Sequence, residues 1–190
     1  MSLPAVRGQI SFSDTIRAYN KERIVTNAKG MAALTTWGFA NMVAGGTGFA
    51  VASQDEWRYF HEMNAIWGAV NTGIGVAGYL RACKEIRIKT DAEKAYKAYR
   101  RDKTIYLVNI GLDVVYAGIG AGLVQYAKGD TKNPDMYRGF GKSLAIQGAA
   151  LFIFDNIMFA AHNRSSGKWF TIMEEIRFTG NGIGFTHTFR

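Results

Sequence analysis

Residues 105–126 read IYLVNIGLDVVYAGIGAGLVQY, an apolar stretch of 22 residues with one formal charge, Asp113. A helix rises 1.5 Å per residue, so this stretch is long enough to cross the hydrocarbon core of a bilayer. Three further stretches of 20 to 22 residues carry few or no formal charges: 31–52, 59–80 and 143–162. The sequence predicts an all-α membrane protein with four transmembrane helices. A soluble four-helix bundle, apolar nearly all round, is the alternative.

The 190 residues (21.0 kDa) suffice for one domain, which we divide around these stretches. Residues 1–30 form an N-terminal cytoplasmic amphipathic segment, residues 31–162 the transmembrane domain, and residues 163–190 a C-terminal tail. The transmembrane domain includes a cytoplasmic basic loop, 81–104, which is expected to contain a second amphipathic helix. The single cysteine, Cys83, excludes an internal disulfide framework and a thiolate zinc site.

The distribution of basic residues predicts the topology. Eighteen of the 23 Lys and Arg residues lie in the two tails and the 81–104 loop, and five lie in the other two connections. Because positive charge is retained on the cytoplasmic side, both termini should be cytoplasmic. The net charge of +8 therefore fits a bilayer partner, and no nucleic-acid partner is expected.

The C-terminal tail shows a different pattern from the spans. Asn181-Gly182 is a turn pair between short β-prone segments, followed by alternation of aromatic and threonine side chains. We expect a short β-hairpin here, and an isolated hairpin needs another surface to rest on. The predicted partner-binding residues are Phe178, Phe185, His187 and Phe189.

An internal repeat is suggested by two local alignments. Residues 41–48 match 113–120, which places Asn41 on Asp113, and residues 67–71 match 152–156, which places Asn71 on Asn156. Spans one and two are therefore expected to be a distant copy of spans three and four, as two repeated helical hairpins.

Polar residues inside the spans are the candidate functional residues. Counting 1.5 Å per residue from the cytoplasmic ends predicts one intramembrane polar layer and a second, shallower layer toward the outside. The first layer is expected to hold Asn41, Asn71, Asp113, Asp155 and Asn156, and the second Asn64 and Gln147. Charges at such depth are costly, so the layer is either hydrogen-bonding glue between helices or a proton or cation path.

Cofactor and metal chemistry is not expected. The three histidines, His61, His162 and His187, share neither a depth nor an i, i+4 spacing that would make a metal or haem site. Signatures of hydrolases, P-loop enzymes and zinc peptidases are absent, and we expect no catalytic residues.

One local pattern resembles a known family. Residues 59–71 read YFHEMNAIWGAVN, and Gly30-Met31 and 37–41 (WGFAN) precede them. Over about residues 20–160, with Phe-His-x-Met-Asn and Trp-x3-Asn as its distinctive parts, the chain resembles an uncharacterised family of small membrane proteins frequent in Bacteroidota. The resemblance implies a bacterial membrane setting and no particular activity, so we expect a multi-pass protein of the bacterial inner membrane.

Two functions remain open on the sequence alone. A non-enzymatic structural or accessory subunit of a larger membrane assembly is favoured by the amphipathic segments, the tail and spans rich in small residues. Its partner would be another protein or a further copy of the chain. The alternative is a small ion or proton channel or transporter that uses the Asp and Asn layer.

Overall fold

The computed structural model describes residues 12–129, 131–179 and 182–185, and describes side chains for residues 14–129 and 131–170. The chain is built from long helices joined by short connections. The helices are α1 (Phe12–Val51), α2 (Asp55–Glu85), α3 (Ala92–Tyr126), α4 (Pro134–Asn163) and α5 (Ser166–Glu175). Two short strands, β1 (Ile176–Thr179) and β2 (Gly182–Phe185), follow and pair antiparallel with Phe178 opposite Ile183.

Local sequence explains where the helices begin. The side chain of Asp91 accepts a hydrogen bond of 2.8 Å from the Lys94 backbone N–H and caps α3. Pro134 stands in the first turn of α4, where its missing N–H costs nothing. The basic loop consequently differs from the expected one: α2 continues to Glu85, and α3 runs unbroken from Ala92. The predicted separate amphipathic helix is therefore the ends of two longer helices, and residues 12–30 are likewise the first turns of α1.

Glycines bring α1 and α2 into backbone contact. A Cβ added to Gly68 would lie 2.3 Å from the Met42 nitrogen, and one added to Gly45 would lie 2.5 Å from the Ala65 nitrogen. Only residues without a side chain allow such an approach, as in small-residue contacts between membrane helices. The first helical hairpin is thus held together along its length by backbone-to-backbone packing.

The second hairpin uses the same device. A Cβ on Gly120 would lie 2.4 Å from the Ala145 nitrogen, and one on Gly148 would lie 2.6 Å from the Ala117 nitrogen. The two hairpins meet mainly through α2 and α4, where a Cβ on Gly139 would lie 2.3 Å from the Glu56 carbonyl oxygen. Between α2 and α3, by contrast, the seam stays open along much of its length.

The bundle has two different ends. We call the end with the α2–α3 connection the base, and the end with the α1–α2 and α3–α4 connections the tip. At the base, the first turns of α1 and α3 and the helix α5 enclose Trp169, which is fully buried. Its ring stacks on Tyr99 at 5.4 Å between centroids and meets Tyr19 edge-on at 6.2 Å. This aromatic cluster anchors α5 to the base.

The helical prediction is confirmed, and the membrane prediction is supported in part. Among the described residues, α3 and α4 are the helices long and apolar enough to cross a membrane. The helices α1 and α2 are as long, but their Gly, Thr and Asn residues lower the mean hydropathy of the stretches 31–52 and 59–80. Those small residues are the ones that make the close α1–α2 contact.

Candidate functional site

A cavity of about 440 Å³ lies in the open seam between α2 and α3. We call it the inner cavity; it extends from the base to the middle of the bundle. Apolar side chains of both helices form its walls, among them Ile74 and Leu112. Toward the tip it ends where Trp67 meets Tyr116 edge-on, with 5.2 Å between ring centroids. The inner cavity is therefore open at the base and closed at mid-bundle.

Two acidic side chains lie at the deep end of the inner cavity. Asp113 of α3 and Asp155 of α4 are 3% and 4% exposed, and their carboxyl groups interact by hydrogen bonding. Asn109, one turn before Asp113, also hydrogen-bonds Asp155. Asn71 reaches the same space from α2 and is 2% exposed, but its Nδ2 has no hydrogen-bond partner among the described residues. Asn71, Asp113 and Asp155 are thus brought together, as the polar-layer hypothesis requires.

The mouth of the inner cavity is a buried ion-pair network at the base. Arg23 of α1 is 5% exposed and pairs with Asp102 of α3 and with Glu85 of α2, the latter at 2.9 Å. Arg81 donates to the other Glu85 oxygen at 2.8 Å, and Arg101 lies 3.1 Å from Asp102. One buried guanidinium therefore ties three helices together around the mouth.

Hydrogen bonds extend this network into the bundle. Asn27 donates from Nδ2 to Asp102 at 2.6 Å, while its Oδ1 accepts from the Tyr106 hydroxyl at 3.1 Å and from His162 Nε2 at 2.9 Å. His162 also stacks on Tyr106, with 5.5 Å between ring centroids. Because both polar atoms of the Asn27 side chain are hydrogen-bonded, this series of hydrogen bonds links α1, α3 and α4 rigidly.

Sequence reasoning missed this base network. Arg23 contributes only to the count of basic residues that predicts the topology, and no predicted site includes Glu85, Asp102 or Asn27. A signal was available in part, because Glu85 lies four residues after Arg81 on one helix face. The pairing of Arg23 with Asp102, 79 residues apart, has no local signature.

A second polar network fills the tip half of the bundle. Gln147 of α4 is fully buried, and its Nε2 donates to Asn41 at 2.8 Å and to Asn64 at 2.9 Å. Its Oε1 accepts from the Trp37 indole at 3.2 Å. Ser143, also fully buried, donates to Asn64 at 3.0 Å. We call these five residues the tip network; it joins α1, α2 and α4.

Two members of the expected polar layer lie elsewhere. Asn41 bonds to Gln147 and so belongs with the tip network. Asn156 is exposed, and its amide donates to its own helix at Phe152. It follows Asp155 directly, and successive helix residues are turned by about 100°, so both cannot face inward. The repeat alignments that paired Asn41 with Asp113 and Asn71 with Asn156 therefore find no support here.

Part of the tail prediction falls within the described residues. Phe178 lies in β1 and Phe185 in β2, where Ile176 pairs with Phe185. His187 and Phe189 lie outside the described residues, so the partner-binding role of the tail stays a prediction. Among the described residues, no group of His, Cys, Asp or Glu side chains could hold a metal ion.

Ion pairs set the charge state of two carboxylates at the ends of the bundle. At the base, burial opposes ionisation of Glu85, but hydrogen bonds from Arg23 and Arg81 prevail and lower its pKa. At the tip, a hydrogen bond from Lys142, supported by Arg138, lowers the pKa of Glu56. Both carboxylates are therefore ionised at neutral pH and pin α2 to its neighbours.

The arrangement combines a closed half and an open half. The tip network has its polar atoms hydrogen-bonded across three helices. The inner cavity has a charged mouth, and at its deep end, which we call the floor, Asn71, Asp113 and Asp155 each keep one polar atom with no partner among the described residues. Such a cavity can hold a proton, water or a small ligand at its acidic floor, reached from the base.

Comparison with known proteins places the chain in a family. Residues 33–156 match a family model described as a family of unknown function, DUF6992. No curated protein and no solved structure matches the chain. The matched region contains the tip network together with Asn71, Asp113 and Asp155, and it covers more than half of the sequence. Arg23, Asn27 and His162 of the base network lie outside it. The chain therefore belongs to the family of unknown function DUF6992.

Proposed function

We propose that the chain is a four-span protein of the bacterial inner membrane with both termini in the cytoplasm, so that the base faces the cytoplasm and the tip the opposite side. Large apolar side chains point outward from all four long helices. Phe39, Ile66, Val114 and Ile153, one from each helix, are each exposed by more than half. A water-soluble protein rarely exposes so much apolar surface, whereas lipid covers it without cost.

The ends of the helices support the same placement. The base carries the described parts of both tails and the 81–104 segment. In the sequence, the two tails and this segment hold eighteen of the 23 Lys and Arg residues. At the tip, Trp57 lies under the Lys142 ammonium at 5.4 Å, a pairing typical of the membrane interface. Between these ends the side chains of Asn64, Asn71, Asp113, Gln147 and Asp155 are buried in the bundle, as lipid exposure requires. Asn156 is exposed, and its amide bonds to its own helix.

Within this setting we favour a non-enzymatic role as a structural or accessory subunit of a larger membrane assembly. The observation that carries this choice is the tip network. A channel needs a continuous polar path, but Gln147, Ser143 and Asn64 are buried and bonded to one another across the tip half. Close backbone contacts at Gly45 and Gly120 seal the α1–α2 and α3–α4 interfaces in the same half.

The partner would be another protein or a further copy of the chain. The base offers the contact surface, because the aromatic cluster around Trp169 holds α5 and the β1–β2 pair follows directly from α5. Removing residues 177–190 should leave the helices inserted and folded while abolishing co-purification in mild detergent, since all five helices end before residue 177.

A proton or cation path is the second candidate, and the Asp113–Asp155 pair favours it. Two carboxyl groups in contact within a bilayer cannot both be ionised, so the pair retains an exchangeable proton. Such groups are common in membrane proton relays. The pair is reached from the base through the inner cavity, which is half of the path that a transporter needs.

Flux in proteoliposomes separates the two candidates. We expect wild-type protein to give no flux above empty liposomes under a pH gradient or with several monovalent cations. Asp113→Asn, Asp155→Asn and the matched surface variant Asp135→Asn should then behave alike. Robust wild-type flux that both buried-site variants lose and Asp135→Asn retains would establish the path and overturn the accessory role.

A further inference from the structure

The floor of the inner cavity is polar and incompletely satisfied. Asn71 is almost fully buried, and its Nδ2 makes no hydrogen bond with any described residue. Asp113 Oδ2 and Asp155 Oδ1 likewise accept no hydrogen bond from any described donor group. Buried polar atoms are nearly always paired, so atoms left open around a cavity indicate that something else occupies it.

The acidic residues at the floor indicate which charge a ligand in the cavity should carry. An acid pair that shares one proton keeps one negative charge, and the cationic residues that line the cavity, Arg81 and Arg101, lie at its mouth. Arg101 precedes Asp113 by twelve positions on α3, which corresponds to about 18 Å along the helix. A hydrogen-bond donor with positive charge would therefore complement the floor.

The apolar walls of the cavity indicate what the rest of the ligand should be. Between floor and mouth the cavity is bordered by Ile74, Ile105 and Leu112, which have no polar side-chain atoms. Its volume of about 440 Å³ lies in the range of small-molecule sites. A purely polar ion would leave the apolar surface of these walls in contact with water, whereas an apolar group would remove that surface from water.

We infer that the inner cavity binds an amphipathic organic amine, whose ammonium group donates to Asp113 and Asp155 while its apolar body lies between Ile74 and Leu112. Asn71 contributes an amide that can pair with a further polar atom of the ligand. This inference goes beyond the proposed accessory role and requires no transport. It identifies a ligand site that the chain retains whether or not it conducts ions.

Equilibrium dialysis of full-length protein in phosphatidylcholine nanodiscs tests this site. The probe is 1-naphthylmethylamine, and its matched controls are the neutral alcohol 1-naphthylmethanol and the anion 1-naphthoate. Against empty nanodiscs, we expect the amine to bind at least tenfold more tightly than either control. Equal binding of the three compounds, or no binding above empty nanodiscs, would overturn the inference.

Variants locate the binding. The double variant Asp113→Asn/Asp155→Asn should weaken amine binding at least tenfold, while Asp135→Asn, which removes an exposed carboxylate from α4, should leave it unchanged. Leu112→Trp fills the cavity and keeps both acids, so it should also weaken binding, and it serves where the double variant does not fold. A folded double variant or Leu112→Trp variant that binds the amine like the wild type would refute the assignment.

Discussion

Replacing Gly68 by alanine should separate α1 from α2 and destabilise the bundle. A Cβ at Gly68 would lie 2.3 Å from the Met42 nitrogen and 2.6 Å from the Gly38 carbonyl oxygen. Ordinary contact begins at 3.4 Å, so the first approach is about 1.1 Å too close. Both obstructing atoms belong to the backbone of α1, and neither can turn aside as a side chain could. The whole helix must move.

The size of the effect follows from two opposing contributions. Overpacking costs about 1–3 kcal/mol, while alanine in place of glycine in a helix gains about 0.5–1 kcal/mol. Gly73→Ala on α2 should bring the gain in helix stability without the overpacking cost, because a Cβ there would meet nothing within 4 Å. The free energies of unfolding of the two variants should therefore differ by about 2 kcal/mol. For a chain of this length that is about 4–8 °C in Tm.

Thermal unfolding of the purified variants in one mild detergent, followed by circular dichroism, measures this difference. Gly73→Ala should melt at or slightly above the wild-type temperature, and Gly118→Ala, an equally open site on α3, should do the same. Gly68→Ala should melt several degrees below all of them. If Gly68→Ala melts with or above Gly73→Ala, the backbone contact between α1 and α2 is not what holds the first hairpin together.

The remaining predictions concern the two ends of the bundle. The lowered pKa of Glu56 means that its ion pairs with Lys142 and Arg138 stabilise the fold above its ordinary pKa of 4.5 and lose this contribution as the pH falls through the lower folded value. Glu56→Gln should therefore lower Tm at pH 7 and match the wild type well below pH 4.5, and a deficit that persists in acid would contradict this. Cys83, half-buried near the base, should stay unlabelled by a membrane-impermeant thiol reagent on intact cells and become labelled after lysis. A Lys132→Cys variant in a Cys83→Ser background should be labelled before lysis, and the reverse pattern would invert the topology.

Local sequence patterns predicted the long helices and much of the polar interior. Runs free of charge locate the four helices, and helical periodicity places Asn64, Asn71 and Asp113 on inward faces. Neighbouring residues on one helix cannot share a face, so the exposure of Asn156 beside buried Asp155 can also be predicted from the sequence. These features depend only on the geometry of a single helix.

Features that depend on two helices at once were not predictable in this way. The hydrogen-bond partner of Asn41 depends on how α1 and α4 pack against each other, and that partner is Gln147 of α4. Counting residues from an assumed membrane boundary cannot supply it. The pairing of Arg23 with Asp102 likewise requires knowing that α1 and α3 meet at the base.

The double partnership of Arg23 has a consequence for the order in which the protein is assembled during synthesis. Asp102 is made only after α1 and α2 are complete, so a growing chain would hold Arg23 at a helix contact without its principal counter-charge. Glu85, the last residue of α2, is already present and lies 2.9 Å from Arg23 in the finished fold. Within the first hairpin, Glu85 thus neutralises the charge of Arg23 until Asp102 is made. This hairpin can therefore close before the second emerges from the ribosome. When α3 arrives, Asp102 adds to an existing pair, and the two hairpins are fastened at the end that carries the connection between them.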